Sequence, residues 1–383
     1  MEYRRLGKTG REVSVIGLGC EHLDGKPYEQ VSETIDAALE NGINIIDVFM
    51  PGFEVRQNIA KALGEKRSQV MVQGHIGATN VNQQYDISRD LPTVKKFFED
   101  MLRIFGGHIE FGMLFFIDSE DHYRAVFESG VAKYAEHLKK QGDIGHIGFS
   151  SHSPEHAIKA IRTGVPEMMM FSINPAFDML PSGEYIIDQF EKGLTPELYR
   201  GIDPKRAELY RICEQNQIGI TVMKTLGAGK LISKEHTPFY KPLTVPQCIH
   251  YALSRPSVAS VLIGCQAREE VTDVMRYFNT SDSDRDYTDI LTSTHNDFIG
   301  NCVYCSHCQP CPAEIDIAVV MRYLDIARLD KENIPPSVRS HYLSLPRGGR
   351  ECTGCGNCEE RCPFGVPVIE NMADAAALMD KNG

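Results

Sequence analysis

The chain has 383 residues, 42% of them apolar and 24% charged, a globular balance that excludes a disordered or fibrous protein. A formal net charge of -12 at pH 7 argues against a general nucleic-acid or anionic-membrane surface. No apolar run is long enough for a bilayer, and no apolar stretch follows the charged opening MEYRRLGKTG, so neither membrane insertion nor a secretory leader is expected.

In chain order, short apolar runs at 15–18, 43–48, 70–76, 111–117, 144–150, 167–173, 218–225 and 258–263 read as strands. Helical patterns at 28–40, 55–63, 92–104, 122–140, 154–162, 205–215, 245–254 and 268–277 alternate with them. Continuously apolar strands, each followed by a helix, indicate a parallel sheet covered by helices. Eight such pairs predict an α/β chain built on a (β/α)8 TIM barrel. An open doubly wound sheet is the alternative, but no GxGxxG follows the first strand. The long connection at 174–204 would sit at the catalytic mouth, where a lid or a plain surface excursion would serve. The polar run 279–297 reads as a boundary between a barrel domain, 1–285, and a small tail domain, 296–383.

Twelve cysteines divide unevenly: eight fall within 302–362, and Cys20, Cys213, Cys248 and Cys265 are scattered. A secreted disulfide scaffold spreads its cysteines, so this clustering points to metal–sulfur chemistry in a reducing cytoplasm. Cys302, Cys305, Cys308 and Cys311 form CxxCxxCxxCP, and Cys352, Cys355, Cys358 and Cys362 form CxxCxxCxxxCP. The second run has the bacterial ferredoxin spacing, in which the fourth cysteine ligates the other cluster. Two [4Fe–4S] clusters follow: one on Cys302, Cys305, Cys308 and Cys362, the other on Cys352, Cys355, Cys358 and Cys311. Zinc also uses CxxC pairs, but its sites use two pairs rather than two tandem runs of four. Helical spacing at 315–329 and 336–345 makes this ferredoxin-like tail mainly helical. Cys213, Cys248 and the Met168-Met169-Met170 run read as packing residues, and His108 and Glu110 as a solvated turn.

The opening MEYRRLGKTGREVSVIGLGC, the pair Ile46-Asp47, IGFSSH at 147–152, VMKTLGAGKL at 222–231 and VLIGCQAREEV at 261–271 closely resemble the aldo-keto reductase family. The tail resembles that of the family's iron–sulfur members. The resemblance implies the same barrel, and hydride transfer between a nicotinamide and a carbonyl compound. Of the family's catalytic Asp, Tyr, Lys and His, only Asp47 is kept. The tyrosine is absent from 48–53, the lysine is replaced within Gln73-Gly74-His75, with His75 its equivalent, and the histidine is replaced by Phe115. Without the tyrosine proton donor and the lysine that lowers its pKa, the ordinary route to ketone reduction is lost. Asp47 and His75 are instead expected to meet as a carboxylate-oriented imidazole suited to proton transfer.

The resemblance also implies cofactor contacts. Lys224, Leu226 and Gly227 lie in a phosphate-contacting loop. Ser150 and Ser151 stand where the family has Ser-Asn, and Ser172, with Asn174 nearby, where it has glutamine. Arg268 is the one candidate for an adenosine phosphate. NAD and NADP are both open, and flavin can be held in a barrel without a linear motif. Cys20, His22 and His152 face the same mouth and make a weaker case for a bound metal. The leading expectation is an iron–sulfur oxidoreductase acting on a small organic molecule, with electrons relayed by the clusters and a redox partner protein. A non-redox lyase or isomerase using Asp47 and His75, and an electron-transfer or redox-sensing protein without turnover, are the alternatives.

Overall fold

A computed structural model describes residues 1–81, 85–180, 201–292 and 298–380. The chain forms two compact units. The first is Met1–Ser172 with Ile218–Thr225 and Val258–Asn279, and the second is Ile173–Gln217, Leu226–Ser257 and Thr280–Gly383.

The first unit opens with an antiparallel hairpin, β1 (Tyr3–Arg5) and β2 (Glu12–Ser14). Eight parallel strands follow: β3 (Ile16–Gly19), β4 (Ile45–Val48), β5 (Met71–Ile76), β8 (Ile109–Leu114), β9 (Ile144–Ser151), β10 (Met168–Ser172), β11 (Gly219–Met223) and β12 (Val258–Gly264). They close in that order into a barrel, with β12 pairing back to β3. A two-stranded ribbon, β6 (Ala78–Thr79) and β7 (Asp86–Ile87), rises after β5. The eight expected strands and the closed barrel are therefore present.

Side chains on alternate strand positions fill the interior. Ile45, Phe111, Met113, Met168, Met170 and Leu262 form an apolar cluster with Leu6 and Val13 of the hairpin segment. The hairpin thus plugs one end of the barrel. Gly219 permits the contact: a Cβ there would stand 2.6 Å from the backbone of Leu6 and Gly7. Outer helices start at side-chain caps, as where Asp90 accepts from Thr93 N and Ser153 from His156 N.

The second unit is helical and contains no strand among its described residues. Helix Pro204–Asn216 contacts the tail helices Ile317–Leu329 and Pro336–Leu343, and Ser337 Oγ donates to the Glu214 carbonyl. Buried Asp178 accepts from Arg206 Nη1 at 2.7 Å and from Tyr251 Oη at 2.9 Å. Helix Val368–Met379 packs on Ile317–Leu329, with Arg328 Nη2 donating to Asn371 at 2.7 Å and Asp374 at 2.6 Å.

Several local expectations change. The pattern at 122–140 is two helices, Glu120–Glu128 and Val131–Gln141, because Gly130 turns the chain with φ 99°. The fourth barrel strand ends at Leu114, so Phe115 and Phe116 lie beyond it. Glu110 is not a solvated turn residue; it accepts from Val72 N at 2.7 Å and pairs with Arg67. The run 279–297 is helical where described, at Asp282–Arg285 and Thr288–Thr292, and buries Tyr287, Ile290 and Leu291. Of the 174–204 connection, helix Pro175–Asp178 is described and 181–200 lies outside the described residues. The compact units do not follow one cut between 285 and 296, since the segments after β10 and β11 group with the tail. No described helix is long and apolar enough to cross a membrane.

Candidate active site

Asp47 is the third residue of β4, and its register partner on β5 is Gln73. His75 lies two residues further along β5, so Gln73 and His75 point to the same face. His75 Nε2 lies 2.8 Å from Asp47 Oδ1, and both residues are buried, 2% and 3% exposed. The expected pair is thus formed. Gln73 Nε2 donates to the same oxygen at 2.7 Å, while Gln73 Oε1 accepts from Thr221 Oγ1 on β11 at 3.1 Å. Thr221 thereby fixes which end of the amide faces the carboxylate.

A carboxylate accepts, so the His75 proton facing it sits on Nε2. His75 Nδ1 is buried without a hydrogen-bond partner among the described residues. It is the ring atom left to exchange a proton. Around it, the Phe115 ring stands edge-on at 5.2 Å between centroids and Phe49 at 6.1 Å, and Tyr85 meets Phe49 at 5.5 Å. These rings give the imidazole an apolar surround.

A second carboxylate–imidazole pair lies at the ends of the fourth and fifth barrel strands. Asp118 Oδ2 meets His152 Nδ1 at 2.7 Å, and its Oδ1 accepts from His152 N at 2.6 Å. Burial alone would raise the Asp118 carboxyl, but the His152 ring and these hydrogen bonds, with Ser151, hold it below the usual range. Phe116 lies against His152 at 5.4 Å and His122 at 5.5 Å. Phe116 adopts φ 59°, rare for a large side chain; Arg89 Nη2 grips its carbonyl at 2.9 Å and that of Phe115 at 2.7 Å. Arg89 is itself pushed down to about 10 by burial.

The residues named for a cofactor are largely engaged within the protein. Ser150 Oγ accepts from Phe116 N at 2.9 Å, and Ser151 Oγ lies 2.7 Å from the Ile117 carbonyl and 2.9 Å from Asp118 Oδ1. Asn174 Oδ1 caps helix Pro175–Asp178 by accepting from Phe177 N at 2.9 Å. Ser172 is fully buried on β10. Lys224 is half-buried at φ 62°, and Leu226 closes a tight turn by accepting from Gly229 N at 3.0 Å. Gly227 has φ 58° and sits over Leu231, 2.8 Å from where its Cβ would be. Arg268 pairs with Glu40 at 2.7 Å.

Cys20 is buried beside Asp47 and Cys265, and burial pushes its thiol well above the ordinary value. His22 instead packs over Gly264. Among the described residues, no group of three or more His, Cys, Asp or Glu side chains is arranged to hold a metal ion.

Gln73, Asp118 and Arg89 were not singled out from the sequence. Gln73 carried a usable signal, its two-residue offset from His75 on one strand. Asp118 and Arg89 carried none, because they come from connections whose meeting depends on the barrel.

The fold and these residues invite comparison with known proteins. The chain is 23% identical over 309 residues to the uncharacterized oxidoreductase YqkF of Bacillus subtilis (strain 168), covering 73% of this chain and 92% of that protein. Among solved structures it resembles the aldo-keto reductase AKR11C1 of Bacillus halodurans. The holo form superposes with TM-score 0.56 at 18% identity, covering 77% of this chain and 97% of that one. The apo form gives TM-score 0.53 at 19% identity, covering 77% and 96%. These likenesses speak to the barrel. The pattern of the aldo/keto reductase family itself matches residues 15–247, more than half of the chain. The chain belongs to the aldo/keto reductase family.

Proposed function

We propose that the protein is an iron–sulfur oxidoreductase acting on a small organic substrate in the barrel, with Asp47 and His75 handling the proton. The observation that carries this reading is the buried Asp47–His75 pair with Nδ1 unpartnered, where the family's tyrosine and lysine are lost. Asp47 orients the ring, Gln73 holds Asp47 and is itself held by Thr221, and His75 Nδ1 gives or takes the proton. Phe49 and Phe115 limit water around the ring.

The donor set in the tail fits two [4Fe–4S] clusters. No disulfide engages any of the twelve cysteines, so the eight tail sulfurs are available as ligands. Cys305 is pushed up to about 12, first by burial and further by Asp286 and Cys362 nearby. Cys308 is also pushed up to about 12 by burial, with Cys305, Cys358 and Cys362 adding to it. Cys362 is within electrostatic reach of Cys305 and Cys308, and Cys358 of Cys308, so the two runs lie close enough to share a donor set. A cube of iron and sulfide spaces its thiolates more widely than a single ion does, so single-ion geometry is not its test. Such clusters supply electrons one at a time. Cys311 and Cys352 lie part-exposed, and 353–355 is exposed, which gives a redox partner protein access to the second ligand set.

Of the residues named for NAD(P), Ser151, Asn174 and Arg268 are engaged by Asp118, Phe177 and Glu40. No step of this proposal runs through a nicotinamide or a flavin.

Anaerobic assay of reduced methyl viologen oxidation against a panel of small carbonyl compounds tests the pair. His75→Ala should lose about 10²- to 10⁴-fold of substrate-dependent oxidation, the usual worth of a positioned acid or base, with iron content unchanged. Unchanged turnover in His75→Ala would remove the pair from the chemistry.

A further inference from the structure

A buried cation lies directly behind the first cysteine run, and the acid–base pair makes no use of it. Arg255 follows helix Val245–Leu253 and is 1% exposed. Its guanidinium lies 4.3 Å from the Tyr251 ring centroid and 4.7 Å from that of Tyr304. Nη2 donates to the Val303 carbonyl at 2.6 Å, an oxygen that also accepts from Tyr287 Oη at 2.8 Å. Val303 and Tyr304 are the two residues between Cys302 and Cys305. Tyr304 takes φ 58°, and its N–H donates to Cys302 Sγ at 3.4 Å. The arginine therefore holds the loop that presents these two thiols.

Asp178 and Asp325 act on this charge only through space, without a direct ion pair. Asp178 is committed to Arg206 and Tyr251, and Asp325 accepts from Tyr304 Oη at 2.7 Å. No carboxylate pairs with Arg255 among the described residues, and its Nε and Nη1 are buried without a hydrogen-bond partner. A buried guanidinium in that state favours negative charge beside it. A cluster on four thiolates is negative, and one more electron makes it more so. A cation fixed in a dry site favours the reduced form.

Resting on the iron–sulfur reading above, we propose that Arg255 raises the reduction potential of the cluster held by Cys302, Cys305, Cys308 and Cys362. Arg255 is a positioning and tuning residue; it touches no substrate. The second cluster, on Cys311, Cys352, Cys355 and Cys358, serves as the internal control.

The test is an anaerobic redox titration of the full chain, followed by electron paramagnetic resonance, with iron and sulfide content measured beside it. In Arg255→Gln the reduced-to-oxidised ratio of one cluster at fixed poise should fall at least tenfold, about 59 mV for a one-electron couple. The other cluster should not move. If Arg255→Gln holds both clusters and neither shifts, or both shift together, the assignment is wrong. If Arg255→Gln fails to hold iron, Arg255→Lys decides. Full iron with a ratio within threefold of wild type supports a role for the charge, whereas iron loss or a tenfold shift contradicts it. A wild-type protein that binds no cluster would remove the parent reading instead, an outcome distinct from all of these.

Discussion

At the residue scale, the buried polar contacts of the proposed site gather on one carboxylate oxygen. Asp47 Oδ1 meets both Gln73 Nε2 and His75 Nε2, and Thr221 sets the orientation of the Gln73 amide. Each link is buried, so deletion of one leaves the others without a partner rather than returned to water. Gln73→Leu should therefore destabilise the protein by about 1–3 kcal/mol and lower turnover while leaving cluster content unchanged, by denaturant melts and viologen assay together. A stable variant with full activity would show that His75 needs no such support. The meeting of Asp47 and His75 was legible because both lie near the ends of adjacent barrel strands. The second pair, Asp118 with His152, was not legible, since its partners come from separate strand ends and no local spacing joins them.

At the element scale, strands and helices were readable because apolar runs and 3.6-residue patterns report burial directly. Their ends were less so. Glycine with φ 99° at Gly130 splits one periodic stretch, and periodicity alone does not record backbone handedness. The run 279–297 looked like a linker because polar residues dominate it, yet Tyr287, Ile290 and Leu291 keep helical spacing and are buried. One carboxylate joins two neighbouring strands: Glu167, just before β10, meets His146 Nδ1 at 3.0 Å, accepts from Ile147 N at 3.2 Å and pairs with Lys139. Partial burial would raise it, but these partners outweigh burial and hold it at about 2, below its ordinary 4.5. A depressed folded-state value means that its stabilisation is complete above about pH 4.5 and lost as pH falls through about 2. Thermal melts across that window should show the loss in wild type, and Glu167→Gln should lack it. Parallel curves for the two proteins would refute the assignment.

At the scale of the whole molecule, the proposed function assigns proton chemistry to the barrel and electron chemistry to the cysteine-bearing unit. The family pattern covers 15–247, ending before β12 of the barrel and before the first cysteine run. The cysteine spacing was the clearest signal in the sequence, because cluster ligation, where it occurs, imposes spacing directly. The grouping of helices Pro204–Asn216 and Val245–Leu253 with the tail was not visible, since it rests on contacts such as Ser337 with Glu214 and Arg255 with Val303. The proposed function joins a buried carboxylate–imidazole pair in the barrel to eight clustered cysteines in the tail: protons from the one, electrons from the other. The most direct measurement of that claim is iron and acid-labile sulfide per chain in anaerobically purified protein. The account predicts about eight of each, two cubes of four. Stoichiometric zinc, or a chain without labile sulfide, would contradict it.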